Sequence, residues 1–377
     1  MRNIIKSILL ALLVLLSPNF IHASKQAKMA KKSGEIRIKD VSPHKGLNLN
    51  YNYGEMELVF WDKNEIVLKY DECVRASSQK RADEILQQRI AIKSIEGHYF
   101  RVGKADDSSV SFNSKWTVYV PSHISSVAAS NSFGNITVGK GFPGLIRIDV
   151  QNGDVNIPET KAMCVVEVTH GNFYVGNAAY LNMTTKHANG TIAFAQTLKV
   201  QAEHADFCKI DKADFMTINS KHSKIKVGNV GQLSSQGSYS TLEVNELSGL
   251  ANIRDMQHST IEMDKFLGKL DATDLSYSKL NITISKFNHT PFIMVTDLDY
   301  TDVKVKLPAS LRTSTYVNGK GSCRSISSGT AKIKSSAPWS SPNGVSSHVF
   351  KNTESFTPNS LIDINNESYG TILIEEY

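Results

Sequence analysis

Three groups of residues carry side chains that would do chemistry if the fold brought them together. Asp255, Asp274 and Asp297 recur at near-regular spacing, with Asp299 and Asp302 nearby. Stacked carboxylates repel unless they splay or share a cation, and oxygen-only ligands suit Ca²⁺. Paired carboxylates with a basic neighbour would also serve acid–base cleavage of a polysaccharide. Arg254 is the only arginine near them in the sequence. A second group joins imidazoles to phenols: His170, His204, His222, Tyr239, His258, Tyr277 and Tyr300. No carboxylate recurs beside the histidines, so the expectation is a structural ladder of planar side chains rather than a metal site. The third candidate is Trp339, which would grip a sugar or a partner if exposed and would otherwise pack on the core. Cys73, Cys164, Cys208 and Cys323 lie far apart with no C-x-x-C pair, which excludes the usual zinc spacings. Four cysteines allow three disulfide connectivities and leave the pairing open.

These residues are positioned by a repeat. A small residue, any residue, an apolar anchor, any residue and a second apolar residue recur from residue 130 onward. Examples are Gly134-Asn-Ile136-Thr-Val138, Gly153-Asp-Val155-Asn-Ile157 and Ser240-Thr-Leu242-Glu-Val244. The anchors read as Ile136, Val155, Phe173, Ile192, Phe207, Ile225, Leu242, Ile261, Leu280 and Val303. The small residue suits a tight corner, where Gly takes φ > 0 and Ser bonds its own backbone. One such unit cannot bury its apolar side, whereas stacking at ~4.8 Å per rung buries a continuous core. The expected fold is therefore all-β: a single-stranded parallel β-solenoid of about ten rungs with a period of ~18–19 residues. An antiparallel hairpin array is the alternative, but it has no need of such even register. Three residues before the anchors stand Phe133, Asn152, His170, Asn189, His204, His222, Tyr239, His258, Tyr277 and Tyr300. Six before them runs a polar column that ends in the three aspartates.

The flanks differ. Residues 1–23 read as a signal peptide, with basic Arg2 and Lys6, an apolar run from Ile8 to Leu16, and Ala23 before the cleavage point. Residues 24–34 are lysine-rich and expected to be flexible. Residues 35–125 form a β-rich cap with one amphipathic helix at about 79–89, started by Ser77 or Ser78 and striped by Ala82, Ile85, Leu86 and Ile90. The solenoid repeat occupies 126–308. The C-terminal β region, 309–377, contains a Ser/Gly/Pro-rich loop at 321–347, and 361–375 are expected to close the far end.

The chain has 377 residues and a formal net charge of +6. Arg2 and Lys6 lie in the leader, which leaves +4, and four further lysines crowd residues 25–32. No basic stripe of the kind that binds nucleic acid remains. No run is long enough for a transmembrane segment. Charged residues make up 21% and hydrophobic residues 41%, a globular composition.

Tyr51-Asn52-Tyr53-Gly54, Trp61-Asp62-Lys63-Asn64-Glu65, the Ala82/Leu86 helix and Val118-Tyr-Val-Pro121 form a series. Together with Phe133-Gly134-Asn135-Ile136 and Ser368-Tyr369-Gly370-Thr-Ile372, it resembles exported bacterial β-strand-repeat proteins, a family of unknown function whose members are named candidate adhesins. Glu55-Met56 departs from that pattern. The resemblance implies the fold and an exported location (periplasm, cell surface or extracellular), and it supplies no catalytic residues. The expected function is a non-enzymatic, adhesin-like binding or scaffold protein of the cell envelope that needs no cofactor and meets an unknown surface glycan or protein. The alternatives are a polysaccharide-acting β-helix enzyme using Asp255, Asp274 and Asp297, or a purely structural envelope protein.

Overall fold

A computed structural model describes residues 28–42, 46–90, 92–95, 99–102, 111–285, 292–308, 314–320, 325–328, 334–340, 345–351, 361–366 and 370–377. For the strands between 92 and 112 and between 314 and 351, the backbone alone is described. The signal peptide expected at 1–23, Cys323 and the side chain of Trp339 lie outside the described residues.

The fold is a parallel β-solenoid whose described residues include one helix, near the N-terminal end. Each rung contributes one strand to each of two facing walls. Within residues 155–238 a single strand of 14 or 15 residues wraps the corner from the second wall to the first, as in Asn172–Lys186. From Thr241 onward that corner breaks the strand in two. Period-2 alternation sends every second side chain inward, and parallel in-register pairing stacks like on like. On one wall Ile157, Val175, Ile192, Ile210, Val227 and Val244 form a buried column. On the other, Ile146, Cys164, Leu181, Leu198, Met216 and Leu233 form another.

The observed anchor column corrects two expected positions. It runs Ile136, Val155, Phe173, Gly190, Cys208, Ile225, Leu242, Ile261, Leu280 and Val303. Gly190 replaces Ile192, because the Phe173 ring occupies the space that a Cβ at Gly190 would need. Cys208 replaces Phe207, because the corner after His204 holds one residue more than its neighbours, and Phe207 points outward at 39% exposure. Nine turns of chain join these ten positions.

The corner residues before the anchors grade from Gly54, Gly134, Gly153 and Gly171 through Ala188 and Ala205 to Ser223, Ser240, Ser259, Ser278 and Thr301. Positive φ falls on the residue before most of them, such as His170 at 55° and Tyr239 at 52°, while Gly54 at 128° and Gly134 at 153° take it themselves and Gly153 and Gly171 do not. Gly153 and Gly171 are required instead by close approach. A Cβ on Gly171 would overlap the carbonyl of Gly153, whose own Cβ would overlap that of Gly134. Gly171→Ala should therefore cost about 1–3 kcal/mol, because the obstacle is backbone and cannot rotate away. Chemical denaturation would measure it, and an unchanged midpoint would show that the corner has slack. In the later rungs hydroxyls use the same space. Ser223 Oγ accepts from the Ala205 N–H at 3.1 Å, and Ser240 Oγ accepts from the Ser223 N–H at 3.3 Å. Ser259, Ser278 and Thr301 continue the relay. Each serine hydroxyl also donates to the carbonyl two residues earlier, as Ser240 does to Ser238 at 2.9 Å. The buried corner hydroxyls of this run are thus paired in both directions, which is what burial demands.

Both ends interlock. Residues 46–61 do not form the outermost rung: 99–102 and 115–121 stack on their outer side, and 126–138 stack on their inner side. At the far end, 361–376 stack on 292–307, and 314–328 stack beyond them. Thus 361–375 form the penultimate rung rather than closing the end as expected. Antiparallel strands then cover both outer rungs: 65–76 and 28–39 at one end, 345–351 and 334–340 at the other. Exposed parallel edges would recruit further chains, and these strands occupy them. The first of them starts at Lys28, inside the lysine-rich segment expected to be flexible.

The helix spans Gln79–Arg89, with the Ser78 side chain accepting from the Arg81 N–H. Ala82, Ile85 and Leu86 pack with Ala30, Val74 and Ala76 in a small cluster outside the main core. Its last residue, Arg89, is 1% exposed and donates from Nε to Glu72 Oε2 at 2.9 Å. Glu72 also accepts from Tyr51, Ser114 and Trp116. Beside this carboxylate the buried Tyr51 phenol is held far above its ordinary range, first by desolvation and then by the Glu72 charge, against the opposing effect of Arg89.

Candidate functional site

The planar ladder forms, with one member exchanged. His170, His187, His204, His222, Tyr239, His258, Tyr277 and Tyr300 stack on successive rungs with centroids 4.7–4.9 Å apart and planes within 14°. His187 takes the place expected for Asn189, the consequence of Gly190 being the anchor. Each ring sits on a residue with φ of 47–55°. A non-glycine residue there is disfavoured by roughly 1–2 kcal/mol, and offset stacking returns ~0.5–1.5 kcal/mol per pair. Ring faces inside the run are covered by their neighbours, so only edges reach solvent. A sugar, which stacks on an open face, finds none within the ladder. Among the described residues no three His, Cys, Asp or Glu side chains converge as a metal set.

Asp255, Asp274 and Asp297 also stack, on three successive rungs, and all are exposed. They occupy an inserted position: Ile253 and Met256 stand opposite Ser235 and Gly237, so the later rungs carry one extra residue. That residue takes φ of 49–57°, a conformation aspartate tolerates better than most. Thr273 Oγ1 donates to Asp297 at 3.1 Å, and Arg254 reaches Asp271 at 3.5 Å rather than the column. Three carboxylates on a flat wall supply few of the six to eight oxygens Ca²⁺ takes. A ligand raises the melting temperature only by binding the native state, so millimolar Ca²⁺ should leave it unchanged. A rise in wild type that Asp274→Asn abolishes would contradict this.

The stacking exposes a feature invisible in any single repeat. The first residue of the first wall in each rung aligns as Leu145, Met163, Tyr180, Thr197 and Phe215. Leu145, Met163, Tyr180 and Phe215 are 41%, 49%, 54% and 49% exposed. Gln232 and Leu250 extend the line. At ~4.8 Å per rung, Leu145 to Phe215 makes an apolar stripe ~19 Å long on a rigid edge. One apolar residue outside is ordinary, whereas an aligned run marks a contact surface. Sequence reading missed it. The signal was there as the residue just before each inward Ile146, Cys164, Leu181 and Met216, but it needed the register.

Beside the stripe lies an open groove of about 330 Å³, lined by Lys212, Asp214, Asn229, Gly231, Glu246 and Ser248. Lys212, Asn229 and Glu246 stack as one column on the second wall, and Asp214 immediately precedes Phe215. The Lys212 ammonium lies 5.7 Å from the centre of the Phe194 ring. Among the described residues the other buried reactive groups serve the structure: Arg89 and Glu72 are bonded to each other and to Tyr51, Tyr53, Ser114 and Trp116, and burial pushes the Cys164 and Cys208 thiols up to about 12. No helix among the described residues is long and apolar enough to cross a membrane.

No family model and no curated protein matches this chain. Among solved structures it is similar to a candidate adhesin from Parabacteroides merdae ATCC 43184, at 13% identity and a TM-score of 0.35, over 74% of this chain and 96% of that one. It is also similar to a candidate cell adhesion protein from Clostridium sporogenes ATCC 15579, at 9% identity and a TM-score of 0.16, over 93% of this chain and all of that one. Neither likeness is close enough to carry an argument about this chain, and the functional reading rests on its own surface.

Proposed function

We propose that this chain is an exported, non-enzymatic binding protein of the cell envelope, adhesin-like in its action, whose contact surface is the Leu145–Phe215 corner and whose partner is a surface glycan or protein. The observation that carries this reading is the apolar stripe, which costs solubility and is held on a stack of rungs that cannot rearrange to hide it. The leader-like residues 1–23 support export. The engagement of Glu72 and Arg89 in packing, and the flat, open placement of Asp255, Asp274 and Asp297, support binding rather than catalysis. Acid–base cleavage needs two carboxyl groups facing each other across a substrate, and these three stand side by side.

The test is to screen the chain from residue 24 against glycan and protein arrays beside a polysaccharide depolymerisation assay. Saturable binding without chain cleavage is expected. Depolymerisation that disappears in Asp255→Asn or Asp274→Asn would make the chain a β-helix enzyme. Silence in both assays would leave it a structural envelope component.

A further inference from the structure

We propose that the groove beside Phe215 is a binding site for a neutral pyranose oligosaccharide. The inference rests on the binding-protein reading and names the ligand class for the same corner.

Shape comes first. Gly231 presents no side chain between Asp214 and Ser248, which belong to the rungs on either side, and this leaves the corner hollow. A Cβ at Gly231 would press on the Asp214 carbonyl, so the hollow is kept open by the backbone itself. Its volume of about 330 Å³ falls within the range of small-ligand sites, and its lining comes from three successive rungs. An elongated ligand can therefore run across several rungs.

Chemistry comes next. The groove offers two carboxylates, one amide, one hydroxyl and one ammonium within three rungs. Asp214, Asn229 and Glu246 make no side-chain hydrogen bond or ion pair among the described residues, so their lone pairs and amide protons are free for a ligand. Such a mixture of donors and acceptors suits hydroxyl groups, each of which donates and accepts. Phe215 adds an exposed ring next to Asp214 for the apolar face of a pyranose. Tyr180 repeats that feature two rungs away, ~10 Å along the stripe, close to the repeat of a disaccharide.

Charge narrows the class. Two carboxylates against one ammonium leave the groove at −1, which disfavours uronates, sulfated glycans and phosphates. An extended peptide is also a poor fit. Strand addition needs unpaired backbone at a sheet edge. Here the backbone on either side of the corner is already paired with the next rung, as in Lys212 with Asn229 and Asn229 with Glu246.

The experiment is titration calorimetry of the chain from residue 24 with neutral hexasaccharides of glucose, galactose, mannose and N-acetylglucosamine, and with oligogalacturonate as the charged counterpart. At least one neutral hexasaccharide should bind. The exposed and half-buried pair of changes Asn229→Ala and Glu246→Gln should weaken it at least about tenfold, and Phe215→Ser should weaken it similarly, with melting temperatures held as the folding control. Binding by no neutral hexasaccharide, binding by oligogalacturonate alone, or binding unaltered in the Asn229/Glu246 variant would overturn the inference. If the chain captures a protein through Tyr180 and Phe215 while every hexasaccharide fails to compete, the oligosaccharide site falls and the binding-protein reading stands. If nothing binds, both fall.

Discussion

Ile225→Asp is expected to destabilise the solenoid by more than about 4 kcal/mol. Ile225 is 1% exposed and lies between Cys208 below and Leu242 above, in the buried anchor column. A carboxylate placed there meets apolar side chains along the stack and no donor. It must ionise in a dry interior or stay protonated at a cost that grows with pH. The loss is not local, because each rung is held by its two neighbours. Denaturation of the variant should show the central rungs opening before the ends. Native-like stability would remove Ile225 from the core and break the register on which the corner stripe depends.

Arg89→Met should cost the N-terminal end about 3–5 kcal/mol, the usual penalty for stranding one charge of a buried pair. Glu72 would keep the hydrogen bonds from Tyr51, Ser114 and Trp116 but lose the counter-charge that Arg89 supplies. The Arg89 guanidinium also sits 4.7 Å from the centre of the Tyr51 ring, and methionine would not reproduce that cation–π attraction. Glu72→Leu combined with Arg89→Met should recover part of the stability, since an apolar pair of similar volume needs no charge compensation. Hydrogen exchange across residues 46–121 would locate the effect. A double variant that loses the sum of what the two single variants lose would show that the pair is not coupled.

How far the sequence could be read depended on whether a signal was local. Period-2 alternation with a small corner residue was enough for the solenoid, for the rung spacing and for most of the ladder. It failed at Gly190, where a glycine serves as anchor because Phe173 below it is large. Glu72 was legible in principle: it falls on the inward phase of Ile66, Leu68, Tyr70 and Val74, and Arg89 continues the stripe of Ala82, Ile85 and Leu86. The interlocked ends were not legible, because placing 361–376 between 292–307 and 314–328 depends on pairing across distant segments. The stripe and the groove are likewise products of register. Tyr180 and Phe215 are ordinary alone and become a surface only when Met163, Tyr180, Thr197 and Phe215 are set one above another. The acidic column falls on successive rungs, as its spacing implies, but its origin in an inserted left-handed residue follows from backbone geometry that residue types do not reveal.

The most direct test of the corner as the contact surface is equilibrium binding of wild type and a Tyr180→Ser/Phe215→Ser double variant to whichever array partner the wild type captures. Both residues are about half exposed, so the variant should keep the wild-type melting temperature. The expected result is an affinity at least about tenfold lower, because aromatic anchors dominate such contacts. Equal affinity with equal stability would place the contact elsewhere on the solenoid and contradict the proposal.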